Sequence, residues 1–130
     1  MSVERVNPPD LATPQGFSHA VVGRGTTIFL AGQTALNRHG VIVGDGVVEQ
    51  FEQALGNLLA ALAAAGGTPA DLTAVTVYLT DMDDYKAHSR DIGVVWRRLA
   101  GCDYPAMAGI GVARLWDATA LVEVQGFAVV

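Results

Sequence analysis

Residues 45–80 read DGVVEQFEQALGNLLAALAAAGGTPADLTAVTVYLT. In the first half, Val48, Phe51, Leu55, Leu58, Leu59 and Leu62 recur at spacings of three and four. That is one apolar stripe on a 3.6-residue period, the mark of an amphipathic helix. Asp45 is the expected N-cap. Gly66-Gly67 is the expected stop, because glycine accepts the left-handed conformation at a helix end, and Pro69 follows just beyond. From Leu72 to Thr80 the period changes to two. Val75, Val77 and Leu79 fall on one face, Thr76, Tyr78 and Thr80 on the other, which predicts a strand.

Downstream, a second helix is predicted over about Asp83 to Leu99. Its stripe is Tyr85, His88, Ile92, Val95, Trp96 and Leu99. Asp81 caps it, Asp83 and Asp84 suit the positive end of its dipole, and Arg97-Arg98 suit the negative end. Ala106–Ala113 and Leu121–Val130 read as the last two strands. Upstream, Val3–Val6 reads as a short strand and Pro8–Gly16 as a loop. Ser18–Val22 and Thr26–Ala31 read as a hairpin through Gly23-Arg24-Gly25. The order β-β-β-α-β-α-β-β predicts an α+β domain over residues 1–130, a mixed six-stranded sheet with two helices packed on one face. The other face must also be buried. Glu123, Gln125 and Phe127 share one face of the last strand, and Ala106, Ala108 and Ile110 one face of the strand before it.

Composition agrees with association. Hydrophobic residues make up 51% of the chain and charged residues 16%, against about 25% charged in ordinary soluble domains. Disorder is excluded. The longest apolar run, Leu58–Ala65, is far short of the ~20 residues of a membrane helix. Residues 1–9 lack the apolar core of a signal peptide, so the expected location is cytoplasmic, with no membrane partner. The single Cys102 allows no intrachain disulfide, and the three histidines have no ligand spacing, so no metal site and no cofactor are expected. Thirteen acids against eight bases give net −5, with Lys86 the one lysine. Nucleic-acid binding, which needs a clustered basic face, is not expected.

An ordered set of short motifs covers nearly the whole chain. Gly16-Phe-Ser-His-Ala20, Phe29-Leu-Ala-Gly-Gln33, Gly66-Gly67, Val75-Thr-Val-Tyr-Leu-Thr-Asp81, Tyr104-Pro-Ala106, Val112-Ala-Arg-Leu115 and Val122-Glu-Val-Gln-Gly-Phe-Ala128 occur in that order. The set resembles the RidA (YjgF) reactive intermediate deaminase family. The resemblance implies a chorismate-mutase-like fold, a homotrimer whose sheets form a central β-barrel, and a small-molecule ligand in a cleft between subunits. In deaminating members an arginine two residues after the proline of the Pro-Ala motif binds the substrate carboxylate. A last-strand glutamate positions the water that attacks an imine carbon.

Carried onto this sequence, the glutamate is Glu123, the expected catalytic residue. Phe17, Gly32, Met107, Ala108 and Gly109 are the expected substrate-binding positions. The arginine position is Met107, which cannot pair with a carboxylate. The cleft aromatic is Phe17, without a hydroxyl, and the cysteine-like position is Gly109. Deamination of the usual 2-imino acids is therefore expected to be weak or absent. Two readings stay open: an enamine or imine deaminase of altered preference, and a non-catalytic small-molecule-binding or regulatory trimer. The endoribonuclease name attached to the family fits poorly with the charge. Gln125 reads as structural, with a hydrogen bond to Glu123 as the other reading; Arg114 and His19 read as structural, His39 as solvated, His88 as packed and Cys102 as inert.

Overall fold

The computed structural model describes residues 2–130. It has six strands and three α-helices: β1 (Val3–Val6), β2 (Ala20–Gly23), β3 (Thr27–Gln33), α1 (Val47–Ala64), β4 (Leu72–Leu79), α2 (Met82–Ala87), α3 (Ser89–Ala100), β5 (Ala106–Gly111) and β6 (Val122–Val129), with a single 3-10 turn at Pro69–Asp71 before β4. The α+β class stands. The strands order as β3-β6-β4-β5 in one sheet, with β1-β2 a separate pair. Within the larger sheet β3/β6 and β6/β4 are antiparallel and β4/β5 is parallel.

Two expectations need correction. The expected six-stranded sheet is hydrogen-bonded as four strands plus two, because β2 and β3 do not form a hairpin. β2 pairs with β1 instead, and β3 with β6. The Gly23-Arg24-Gly25 segment is a corner between the sheets. Arg24 N–H donates to the Ser2 carbonyl, and Thr26 and Val130 exchange backbone hydrogen bonds of 2.7 and 2.9 Å. The glycines are there because β6 packs directly on them: a methyl on Gly23 would meet Val129, and one on Gly25 the Val130 carbonyl. Second, the expected single helix after β4 is divided at His88 into α2 and α3. His88 Nδ1 lies 2.8 Å from the Asp84 carbonyl, which also accepts from the His88 backbone N–H. A side chain competing for a helical acceptor loosens that turn. His88 is correspondingly exposed, not packed as expected.

The helices cover one face of the larger sheet. Phe51, Leu55, Leu58 and Leu62 of α1 are essentially inaccessible, and they meet Leu30, Val75, Val77, Leu79, Val122 and Val124. Burying each such side chain contributes about 1.5–3 kcal/mol. The helix begins one residue later than expected, with Gly46 rather than Asp45 at the N-cap. It ends as predicted: Gly66 takes φ 95°, and the Gly66 and Gly67 N–H groups donate to Ala63 and Leu62. Two amides of α1 anchor loops. Buried Gln50 donates to the Gly44 and Thr119 carbonyls and accepts from Leu121 N–H, while Asn57 donates to Thr34 and Leu36. Arg98 pairs with Glu52 and ties α3 to α1.

The sheet's other face has no helix over it. Strand parity puts Phe29, Phe127, Gln125, Glu123, Tyr78, Ala108 and Ile110 there. Phe29 is 76% exposed, Ile110 42% and Phe127 39%. Phe29 and Phe127 meet edge to face at 5.6 Å.

Candidate functional site

The chain's order and register create two sites, one on each side of the sheet. On the open face, Glu123 of β6 stands opposite Tyr78 of β4. It is half-buried. Its carboxylate lies over Gly32 of β3, so close that a methyl there would be 2.8 Å from Oε2. The β3/β6 ladder is irregular between Leu30 and Gln33, which brings the Gly32 backbone against the glutamate. The Tyr78 hydroxyl, 3.3 Å away, donates to Gln125 Oε1 rather than to Glu123. Among the described residues none donates a hydrogen bond to the Glu123 carboxylate, and no cation pairs with it. A carboxylate of this kind is free to accept a proton from water. Gln125 is tied to Tyr78 and forms no hydrogen bond with Glu123.

On the helix side, β5 is the sheet's edge, and the N-terminal loop docks along it. Ser18 N–H donates to the Pro105 carbonyl at 2.9 Å, and Ser18 Oγ donates to the Tyr104 carbonyl at 2.7 Å. This brings Phe17 to Met107, Ala108 and Gly109 in a depression of about 250 Å³ floored by Val77. Gly109 has no heavy atom within 4 Å of where a Cβ would stand, which leaves that floor open. The depression shares Gly16, Tyr85 and Met107 with a larger cavity of about 420 Å³ between α3 and β5. Phe51, Ile92, Trp96, Tyr104 and Met107 supply its apolar wall, and Tyr85, Ser89, Arg90 and Arg97 its polar groups. Burial pushes the Tyr85 phenol up to about 12, so its hydroxyl stays a donor at any physiological pH. His88, between α2 and α3, holds its proton more tightly than usual. The hydrogen bond to the Asp84 carbonyl is the main cause; burial opposes it, and the Asp84, Asp91 and Glu49 charges add to it.

The sequence-predicted residues therefore divide. Phe17, Met107, Ala108 and Gly109 come together along β5, and Gly32 and Glu123 come together; within one chain Met107 and Gly109 face the helix side of the sheet, whereas Ala108 shares the open face with Glu123. His19 contacts the Phe17 ring edge to face at 5.1 Å, and its Nε2 lies 2.7 Å from the Ala12 carbonyl, a structural role. Arg114 folds back on the carbonyls of Leu115 and Trp116. Cys102 is exposed. Sequence reasoning missed Arg90 and Arg97 as pocket residues. The available signal was their i, i+3, i+7 stripe with Gly93. Among the described residues no group of three His, Cys, Asp or Glu could hold a metal ion, and no helix is long and apolar enough to cross a membrane.

Comparison with known proteins decides the lineage. The family model described as Endoribonuclease L-PSP matches residues 9–130. The chain belongs to the RidA/YjgF family. A RutC family protein of Pyrococcus horikoshii is 33% identical over 116 residues, 88% of each chain. The 2-iminobutanoate/2-iminopropanoate deaminase of Mus musculus is 35% identical over 104 residues, 79% of this chain and 73% of that one. A Rid family protein of Yersinia pestis, described as of unknown function, superposes with a TM-score of 0.90 at 32% identity over the whole of both chains. The RidA/YjgF fold thus accounts for the sheet order and the helix layer.

Proposed function

We propose that this RidA-family chain is a homotrimeric deaminase that hydrolyses reactive enamine or imine intermediates to a carbonyl compound and ammonia. The observation that carries this reading is Glu123, an unpartnered carboxylate on the sheet face that no helix covers and pressed against Gly32. In the proposed reaction Glu123 takes a proton from water as the water oxygen bonds to the C=N carbon. The nitrogen is protonated, and the carbinolamine then loses ammonia as the C=O bond forms. A positioned base of this kind is worth about 10²–10⁴-fold in rate. The deaminase names of relatives from mouse and house-dust mite support it.

The trimer is supported by the exposed Phe29, Phe127 and Ile110 on the face no helix covers, and by the separation of the two half-sites. A neighbouring copy would bring its own Glu123 to this chain's Phe17–Met107 depression, with the expected small-molecule ligand between them. Substrate preference is altered because Met107 offers no guanidinium. The lost contact is worth about 2–5 kcal/mol, roughly 30- to 4,000-fold in affinity. Small 2-imino acids should be poor substrates, and bulkier or neutral imines better ones. The same methionine favours a second reading, a ligand-binding trimer without catalysis.

The test generates imines in situ with an amino-acid oxidase, from alanine and from phenylalanine, and follows their hydrolysis against semicarbazide trapping. Faster hydrolysis of the phenylalanine-derived imine supports the deaminase. No acceleration of either imine favours the binding role. Acceleration of the alanine-derived imine to the rate of an arginine-bearing relative refutes the altered preference. Light scattering that returns a monomer mass at micromolar concentration refutes the trimer.

A further inference from the structure

We infer that the cavity between α3 and β5 binds an organic carboxylate with an aromatic or branched apolar body, held by Arg90 and Arg97. This rests on the reading of that side of the sheet as the ligand side, but not on turnover.

Arg90, Gly93 and Arg97 occupy positions i, i+3 and i+7 of α3 and so share one face of it. That face lines the cavity. Glycine inside a helix is unfavourable by about 1 kcal/mol against alanine, and here its bare backbone has a use. Arg97 folds back along the helix, with one guanidinium nitrogen 3.2 Å from where a Gly93 side chain would begin. The fold-back turns Arg97 toward Arg90, one turn beyond Gly93, and both residues line the one cavity. Neither has a carboxylate within 4.0 Å among the described residues, whereas Arg24 and Arg98 do. Neither donates a hydrogen bond to the protein among those residues.

The lining also includes a tryptophan. Trp96, 95% buried on its fractional exposure of 5%, lines the same cavity. Its indole Nε1 is buried and has no acceptor. That nitrogen has almost no accessible surface, so it faces the protein interior and not the cavity. The remaining wall is apolar: Phe51, Ile92, Tyr104 and Met107. A volume of about 420 Å³ suits a small organic ligand. Two arginines and an aromatic, apolar lining in one cavity match an anion attached to a ring. Inorganic phosphate satisfies only the first half.

Phenylacetate is the probe, followed through Trp96. Trp116, the other of the chain's two tryptophans, is 91% exposed and outside the cavity. Trp116→Phe therefore leaves Trp96 as the reporter. The expected result is a saturable change in Trp96 emission, confirmed by calorimetry. Arg90→Gln and Arg97→Gln should each weaken binding about tenfold or more, with circular dichroism unchanged because both side chains are exposed. Phenylacetamide, of the same size but uncharged, should bind at least about tenfold more weakly. Equal binding of phenylacetamide, equal binding of inorganic phosphate, unchanged affinity in both arginine variants, or no binding up to about 10 mM would each overturn the assignment. Imine hydrolysis can fail while this binding persists, and the reverse, so the two readings fall separately.

Discussion

Replacing Gly32 by alanine perturbs the candidate catalytic carboxylate without touching it. The new methyl would stand 2.8 Å from Glu123 Oε2, 2.9 Å from Cδ and 3.2 Å from Cγ. Non-bonded heavy atoms settle at about 3.5–4.0 Å, so the carboxylate must retreat by roughly 0.7 Å or more. The obstacle is the far end of a flexible side chain, and the backbone need not move. An off-rotamer glutamate costs about 0.5–1.5 kcal/mol. Alanine in place of a strand glycine returns about 0.5–1 kcal/mol. The net change in stability is therefore within about 1 kcal/mol of zero. Catalysis is less tolerant, since a misplacement near 1 Å costs about 10²-fold. The paired measurements are urea unfolding and hydrolysis of the phenylalanine-derived imine. The expectation is near-native stability with turnover reduced about 10²-fold. Native turnover at native stability would refute the claim that Gly32 positions Glu123. A loss of several kcal/mol would instead make Gly32 a packing residue.

Leu58→Ala, at a fully buried position facing the sheet, should cost about 2–5 kcal/mol in urea unfolding, and a change below about 1 kcal/mol would contradict the core described above. His88 should titrate above its ordinary 6.5, chiefly through its hydrogen bond to the Asp84 carbonyl, as read by NMR. Because the folded value is raised, the stabilisation is fully present below about pH 6.5 and lost as pH rises through the folded value. Wild type should therefore lose stability relative to His88→Asn on going from about pH 5.5 to about pH 8.5; the opposite slope would show that the contact does not hold the proton.

Periodicity carried much of the fold. The stripe on α1 and the alternation in β4 and β6 depend on neighbours three, four or two residues away, so they are visible in the chain itself. Strand partners are not local. Gly23 and Gly25 carry the composition of a hairpin turn, yet they are glycines because the distant Val129 and Val130 pack on them. The division at His88 was hidden for a similar reason: the apolar stripe from Tyr85 to Trp96 runs straight through it, and only the shared Asp84 carbonyl betrays the loosened turn. At the site, motif order pointed to Phe17, Gly32, Met107, Ala108, Gly109 and Glu123, and the parity of β5 and β6 already distributed them over two faces. That this parity separates Met107 from Glu123 within one chain emerges only when the β4 register joins both strands. Arg97 read as a dipole partner in a last helical turn. Its fold-back over Gly93 into a cavity requires the placement of β5 opposite α3, which no local pattern specifies.

The central claim is that Glu123 activates water for imine hydrolysis. Its most direct measurement is the hydrolysis rate of the phenylalanine-derived imine by wild type and by Glu123→Gln, an isosteric change that removes the base. The account predicts acceleration by wild type and a loss of about 10²–10⁴-fold in the variant, with its unfolding midpoint and assembled mass unchanged. Equal rates for the two proteins would contradict it.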